Sequence, residues 1–295
     1  MHNSGKRSKK RYKKRGNRKM SIILVLLGIL AILMAMFLIA FSPRDRGLFL
    51  QSYKTFNYQG DDRRYLISGP NKVTSDTRII VGLHGYGDSA RKFAYYTGLQ
   101  NVANDNDLVV YPQAIEPEAG QLNGWNSEFC CGSGWKQGKD DAGFVINLID
   151  SIRDQYKTIK SKVYLVGFSN GSFFAQKIAI DYPKKVDGIA AASGSIGTKS
   201  KRLKPNSPMP IILMHGEQDK TVPFNGGAKP SDPDFDWLSF DSTKKAWLEA
   251  NTDQVETEVK TFPGDGHQWH DWRLFNFWHK QPTGSQQVIE FINRQ

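Results

Sequence analysis

The stretch VYLVGFSNGSFFAQKIAI, Val163 to Ile180, leaves the chain few ways to fold. Val163-Tyr164-Leu165-Val166 is a β-branched and aromatic run of strand character, and Phe173, Phe174, Ile178 and Ile180 follow at roughly helical spacing. Between the two lies Gly167-Phe168-Ser169-Asn170-Gly171, which reads G-x-S-x-G. Strand, sharp turn, helix is the setting in which a serine is presented as a nucleophile at the top of a parallel sheet. The plainer reading of Ser169 is a small-residue turn, and the rest of the chain has to decide between them.

The flanking sequence supplies such a sheet. Arg64 to Ser68 and TRIIVGLHG read as strands, Gly87-Asp88-Ser89 as a turn and helix cap, Ala90 to Val102 as a helix and DLVVYP as the next strand. Asp140-Asp141 cap a helix whose apolar positions Phe144, Val145, Leu148, Ile149, Ile152 and Tyr156 share one face. VDGIAAASG, MPIILMHG and EVKTFPG are further strands, and Thr283 to Asn293 is a closing helix. Strands apolar along their whole length, alternating with helices, predict an α/β domain with a mostly parallel sheet covered on both faces. Gln113 to Lys139, rich in Gly, Asn and Trp, is too long for an ordinary connection. Its adjacent Cys130 and Cys131 are the only cysteines, either a vicinal disulfide or two buried thiols, and neither they nor the histidines form an array at zinc-ligand spacing.

Charge separates this body from what precedes it. Lys and Arg number 40 against 29 Asp and Glu, but ten of those cations and no acid lie within Met1 to Lys19. Ser21 to Phe41 then runs without a charge, long enough to span a bilayer at ~1.5 Å per residue. The predicted organisation is a basic cytoplasmic tail over 1–19, a signal-anchor transmembrane helix over 20–42, a linker over 43–60 and a catalytic domain over 61–295. By the positive-inside rule the body lies outside the cytoplasm, membrane-anchored, or secreted if the segment is cleaved. A basic tail can also touch nucleic acid, but this one lacks the apolar periodicity of a folded patch, so no nucleic-acid partner is expected.

A serine hydroxyl becomes nucleophilic only when an adjacent base takes its proton. Asp219 follows the strand IILMHG, and His267 follows the strand beginning at Glu258. The order Ser169, Asp219, His267 is the one this strand-turn-helix setting uses. Glu217 is the rival carboxylate, and His270 and His279 are rival bases, while His84 and His215 at strand ends read as loop-positioning hydrogen bonders. The glycines of LHGYGDS allow the Tyr86 backbone N–H to act with that of Asn170 as an oxyanion hole. Trp125 and Trp269 are candidates for lining a substrate pocket, and Lys229 to Phe240 for overhanging it; loop aromatics also bury themselves beneath their loops.

The ordered set LHGYGDS, YPQA, GWNSEFCCG, DDAGFV, VYLVGFSNGSFFAQKIAIDYP, HGEQDKTVPF and GHQW, from about Arg78 to Trp269, resembles the secreted esterases grouped as polyhydroxybutyrate depolymerases and feruloyl esterases in the α/β-hydrolase superfamily. The resemblance implies an α/β-hydrolase fold and hydrolysis of a carboxylic ester, small or polymeric, by Ser169, Asp219 and His267 without a cofactor or metal. Polyhydroxyalkanoate, feruloyl-sugar and acetyl-sugar esters are all open as substrates. The chain departs from the family pattern where His270, Asp271 and Trp272 replace the proline and glycine that usually follow GHxW, and where Asp141-Ala142-Gly143-Phe144 stands for D-V-G-F. A serine peptidase on the same fold and a surface binding protein that keeps only the scaffold are the competing functions.

Overall fold

A computed structural model of the chain describes residues 22–36, 47–48, 50–70, 73–74, 76–229, 232–252, 255–270 and 282–295. The chain forms two compact units, Met1–Arg46 and Gly47–Gln295. In the first, residues 22–36 are helical, inside the predicted span of 20–42; the basic tail and both ends of that span lie outside the described residues. Among the described residues no helix is long and apolar enough to cross a membrane.

The second unit is built on an eight-stranded sheet in the order β1-β2-β4-β3-β5-β6-β7-β10. The strands are β1 (Lys54–Tyr58), β2 (Asp61–Ser68), β3 (Ile79–Leu83), β4 (Leu108–Pro112), β5 (Val163–Phe168), β6 (Gly188–Ala192), β7 (Ile211–Gly216) and β10 (Thr257–Phe262). Pairings from β4 to β10 are parallel, and only β1 with β2 and β2 with β4 are antiparallel. Alternation explains the apolar runs: Ile79, Val81, Val163 and Leu165 enter one core layer with Phe144 and Phe174, while Ile80, Tyr164 and Val166 enter the other with Phe93 and Phe291. Both faces of the central strands are buried, so their positions are apolar almost throughout, with His215 at the end of β7 the polar exception among those described.

The predicted linker 43–60 is corrected by β1. Phe56 and Tyr58 alternate toward Phe144, with ring centroids 6.2 and 6.3 Å away, and draw this segment onto the sheet edge. The predicted helix 90–102 divides into Ala90–Thr97 and Leu99–Val102 at Gly98, whose φ of 58° ends the first helix in the left-handed region. The segment after Lys139 begins as predicted: the Asp140 side chain accepts the Gly143 N–H at 2.9 Å and starts the helix Asp141–Tyr156. A second, small sheet pairs β8 (Gly227–Lys229) with β9 (Asp232–Trp237), a hairpin inside the insertion between Asp219 and His267.

Candidate active site

Ser169 stands between β5 and the helix Asn170–Asp181 with φ 55° and ψ −121°, a conformation unfavourable for a side-chain-bearing residue. The glycines of the pentapeptide are required by close approach. A Cβ on Gly167 would lie 2.1 Å from the Gly171 carbonyl oxygen, and one on Gly171 would lie 2.0 Å from that of Leu83. The turn is held by the Ser169 N–H donating to the Ala192 carbonyl at 2.9 Å, and by the Ser169 carbonyl accepting from Ser172 and Phe173.

The structure brings Ser169, His267 and Asp219 together from three separate connections. His267 Nδ1 lies 2.7 Å from Asp219 Oδ2, and its Nε2 lies 2.9 Å from Ser169 Oγ. An ionised carboxylate only accepts, so Nδ1 carries the proton and Nε2 accepts the Ser169 hydroxyl. Asp219 Oδ1 accepts the N–H groups of Thr221 and Val222 at 2.7 and 2.9 Å. Burial opposes its charge, but hydrogen bonds from His215 and His267, electrostatic attraction to the His267 ring and the Val222 amide outweigh that and lower its pKa well below the usual carboxylate range. The rival groups lie elsewhere: His270 pairs with Asp265 at 2.6 Å and stacks on Phe262, and Glu217 is not a partner of His267. His279, Asp271 and Trp272 lie outside the described residues.

His215 acts as the strand-end reading expects. Its Nε2 is 2.9 Å from the Val222 carbonyl and 3.3 Å from Asp219 Oδ2, so one N–H braces both the loop and the carboxylate. His84 braces the other loop. Its Nδ1 donates to the Gly85 carbonyl at 2.8 Å, and its Nε2 accepts the Ala114 N–H at 3.1 Å. Burial lowers its pKa to about 4, keeping the ring neutral and able to accept. Among the described residues the backbone N–H groups of Tyr86 and Asn170 have no hydrogen-bond acceptor, which leaves both available to a ligand oxygen.

Two predicted pocket residues are corrected. Trp125 is fully buried, stacked on Phe174 at 4.9 Å and donating Nε1–H to the His84 carbonyl at 3.0 Å; it supports the loop from beneath. Trp269 is also buried, its Nε1–H bound to Ser285 Oγ at 3.0 Å and its ring edge-on to Phe93 and Phe168. The cavity at Ser169, of about 340 Å³, is lined instead by Tyr86, the Cys130–Cys131 disulfide, Trp135, Phe235 and Trp237, above Phe173. The disulfide settles the open choice for the two cysteines. Phe235 and Trp237 come from the β8–β9 hairpin, and the signal for them was present: two aromatics two apart in a strand share a face.

The Phospholipase/Carboxylesterase family model matches residues 70–271. The chain is 27% identical over 174 residues to feruloyl esterase B of Piromyces equi, covering 56% of this chain and 31% of that protein. It is also 27% identical over 146 residues to feruloyl esterase B of Thermothelomyces thermophilus, covering 49% and 48%. The chain thus spans less than half the length of these curated relatives. An α/β serine hydrolase homologue from Coxiella burnetii shares the fold, with a TM-score of 0.50 at 15% identity over 81% of this chain and 96% of that one.

Proposed function

The chain belongs to the phospholipase/carboxylesterase family of α/β-hydrolases, and from that premise we propose that it is a serine esterase acting on carboxylic esters. The observation that carries the proposal is the unbroken hydrogen-bonded line from Asp219 through His267 to Ser169. Ser169 Oγ attacks the ester carbonyl while His267 Nε2 takes its proton, and Asp219 holds the imidazole in the tautomer that can accept. The carbonyl oxygen gains negative charge and is met by the amides of Tyr86 and Asn170, each such donor being worth roughly 3–4 kcal/mol of barrier. Protonated His267 returns the proton to the departing alcohol. A water then repeats the sequence on the acyl-enzyme, giving the free acid and restoring Ser169. Feruloyl-sugar, acetyl-sugar and polyhydroxyalkanoate esters are the substrate classes to test.

Ser169→Ala is the direct test, on nitrophenyl esters of graded acyl length, with circular dichroism to establish that the fold is intact. Turnover is expected to fall by about 10⁶-fold. Retention of more than about a hundredth of it would show that another group attacks the ester.

The site works outside the cytoplasm, tethered by the segment 20–42. Support comes from the charge pattern, ten cations before an uncharged run, which holds the tail inside. Protease added to intact cells, with outer-membrane permeabilisation if an outer membrane is present, is expected to digest the body and spare the tail. A protected body would overturn the orientation.

A further inference from the structure

The Cys130–Cys131 disulfide lines the cavity beside Ser169 and has no role so far. It joins adjacent residues, so it closes no long loop in the unfolded chain and adds almost nothing as a staple. Its place in the fold is instead tightly specified. Asn170, next to Ser169, accepts the Trp125 N–H with Oδ1 at 2.7 Å and donates from Nδ2 to the Trp125 carbonyl at 3.2 Å. From there the chain folds back on itself through Ser133 N–H to the Leu122 carbonyl and Gly134 N–H to the Gly124 carbonyl, both 2.9 Å. Gly124 and Gly132 meet backbone to backbone, where a Cβ on Gly132 would lie 2.7 Å from Gly124 Cα. The sulfurs are thereby held at a set place relative to Ser169.

Around them stand aromatic rings. Trp135 lies 6.4 Å from Phe235, and Phe235 stacks on Trp237 at 5.2 Å with planes 9° apart. Sulfur is soft and polarisable and makes favourable contact with aromatic rings. A cavity of about 340 Å³ is near the lower end for ligand sites and has room for one ring system against these aromatic walls.

We propose that the Cys130–Cys131 disulfide is a specificity-determining contact surface, bearing on a flat aromatic group of the ester. The inference rests on the esterase reading above. In the full chain, Cys130→Ala/Cys131→Ala is expected to lower the preference for a ring-bearing over a ring-free ester, measured as the ratio of kcat/KM values, by about fivefold. Hydrolysis of the ring-free acetyl ester is the internal reference and should fall by clearly less than that of the ring-bearing one.

If the double variant does not fold, folded wild type reduced with a water-soluble phosphine replaces it. The S–S bond accepts two electrons and two protons to give two thiols, and the phosphine takes the oxygen of one water to become its oxide. Thiol titration confirms the change, and the preference should fall likewise. A second readout needs no turnover: quenching of tryptophan fluorescence by 3-phenylpropenoate should weaken by the same factor. Equal losses on both esters, or an unchanged ratio and unchanged quenching, would overturn the proposal. A wild type that binds the aromatic acid but hydrolyses neither ester would refute the esterase reading and leave the contact surface standing.

Discussion

Acidification should destabilise this protein through one buried histidine that never touches substrate. His84 is fully buried, its Nε2 accepting from the Ala114 N–H and lying 3.3 Å from the Gln113 amide nitrogen. A proton placed on Nε2 would point at a donor, with no acceptor among these partners to receive it. Burial accordingly lowers the ring's pKa from the ordinary 6.5 to about 4. Because the folded pKa is the lower one, the unfolded chain binds more protons between these values. Stability is therefore complete above about pH 6.5 and lost as pH falls toward about 4. At 1.36 kcal/mol per pKa unit, the loss between about pH 7 and pH 5 is about 2 kcal/mol. Urea unfolding at matched ionic strength measures it. His84→Gln keeps a polar side chain with no proton to gain, so its stability should fall by about 2 kcal/mol less over the same interval. Parallel curves for the two proteins would refute the reasoning.

The remaining predictions concern the site. His267→Gln should abolish ester hydrolysis, while His270→Gln, which breaks the pair with Asp265 away from Ser169, should retain most of it; the reverse outcome in steady-state assays would make His270 the base. Asn170→Ala keeps the backbone N–H but strands the buried N–H and carbonyl of Trp125, costing about 1–3 kcal/mol in urea unfolding. Asp219 has a folded pKa below its ordinary 3.8, so its carboxylate contributes stability above that pH and the contribution disappears below it. Asp219→Asn should flatten that acid limb of the unfolding curve, and an unchanged limb would place the linkage on another carboxylate.

What the sequence determined by itself was whatever depends on short-range pattern. Apolar runs such as Ile79–Leu83 and Val163–Phe168 are unbroken because both faces of a central strand are buried, and that is readable without knowing the strand's neighbours. The serine elbow was legible because Gly167 is dictated by contact with Gly171 four residues on, while the reason for Gly171, the Leu83 carbonyl, is tertiary; the order of Ser169, Asp219 and His267 followed from strand ends. Tertiary structure alone decided which aromatics meet the cavity. Trp125 and Trp269 sit close in sequence to the motif residues, yet Phe174 and Ser285 draw them into the interior. Trp135, Phe235 and Trp237 reach the opening from segments about a hundred residues apart. Strand β1 was hidden for a similar reason: an edge strand buries one face only, so Phe56 and Tyr58 give a weak alternation that becomes a strand when Phe144 is there to receive it. Backbone geometry and burial period are written locally, whereas the choice of which half-buried side chain faces a cavity depends on partners that only the folded chain brings within reach.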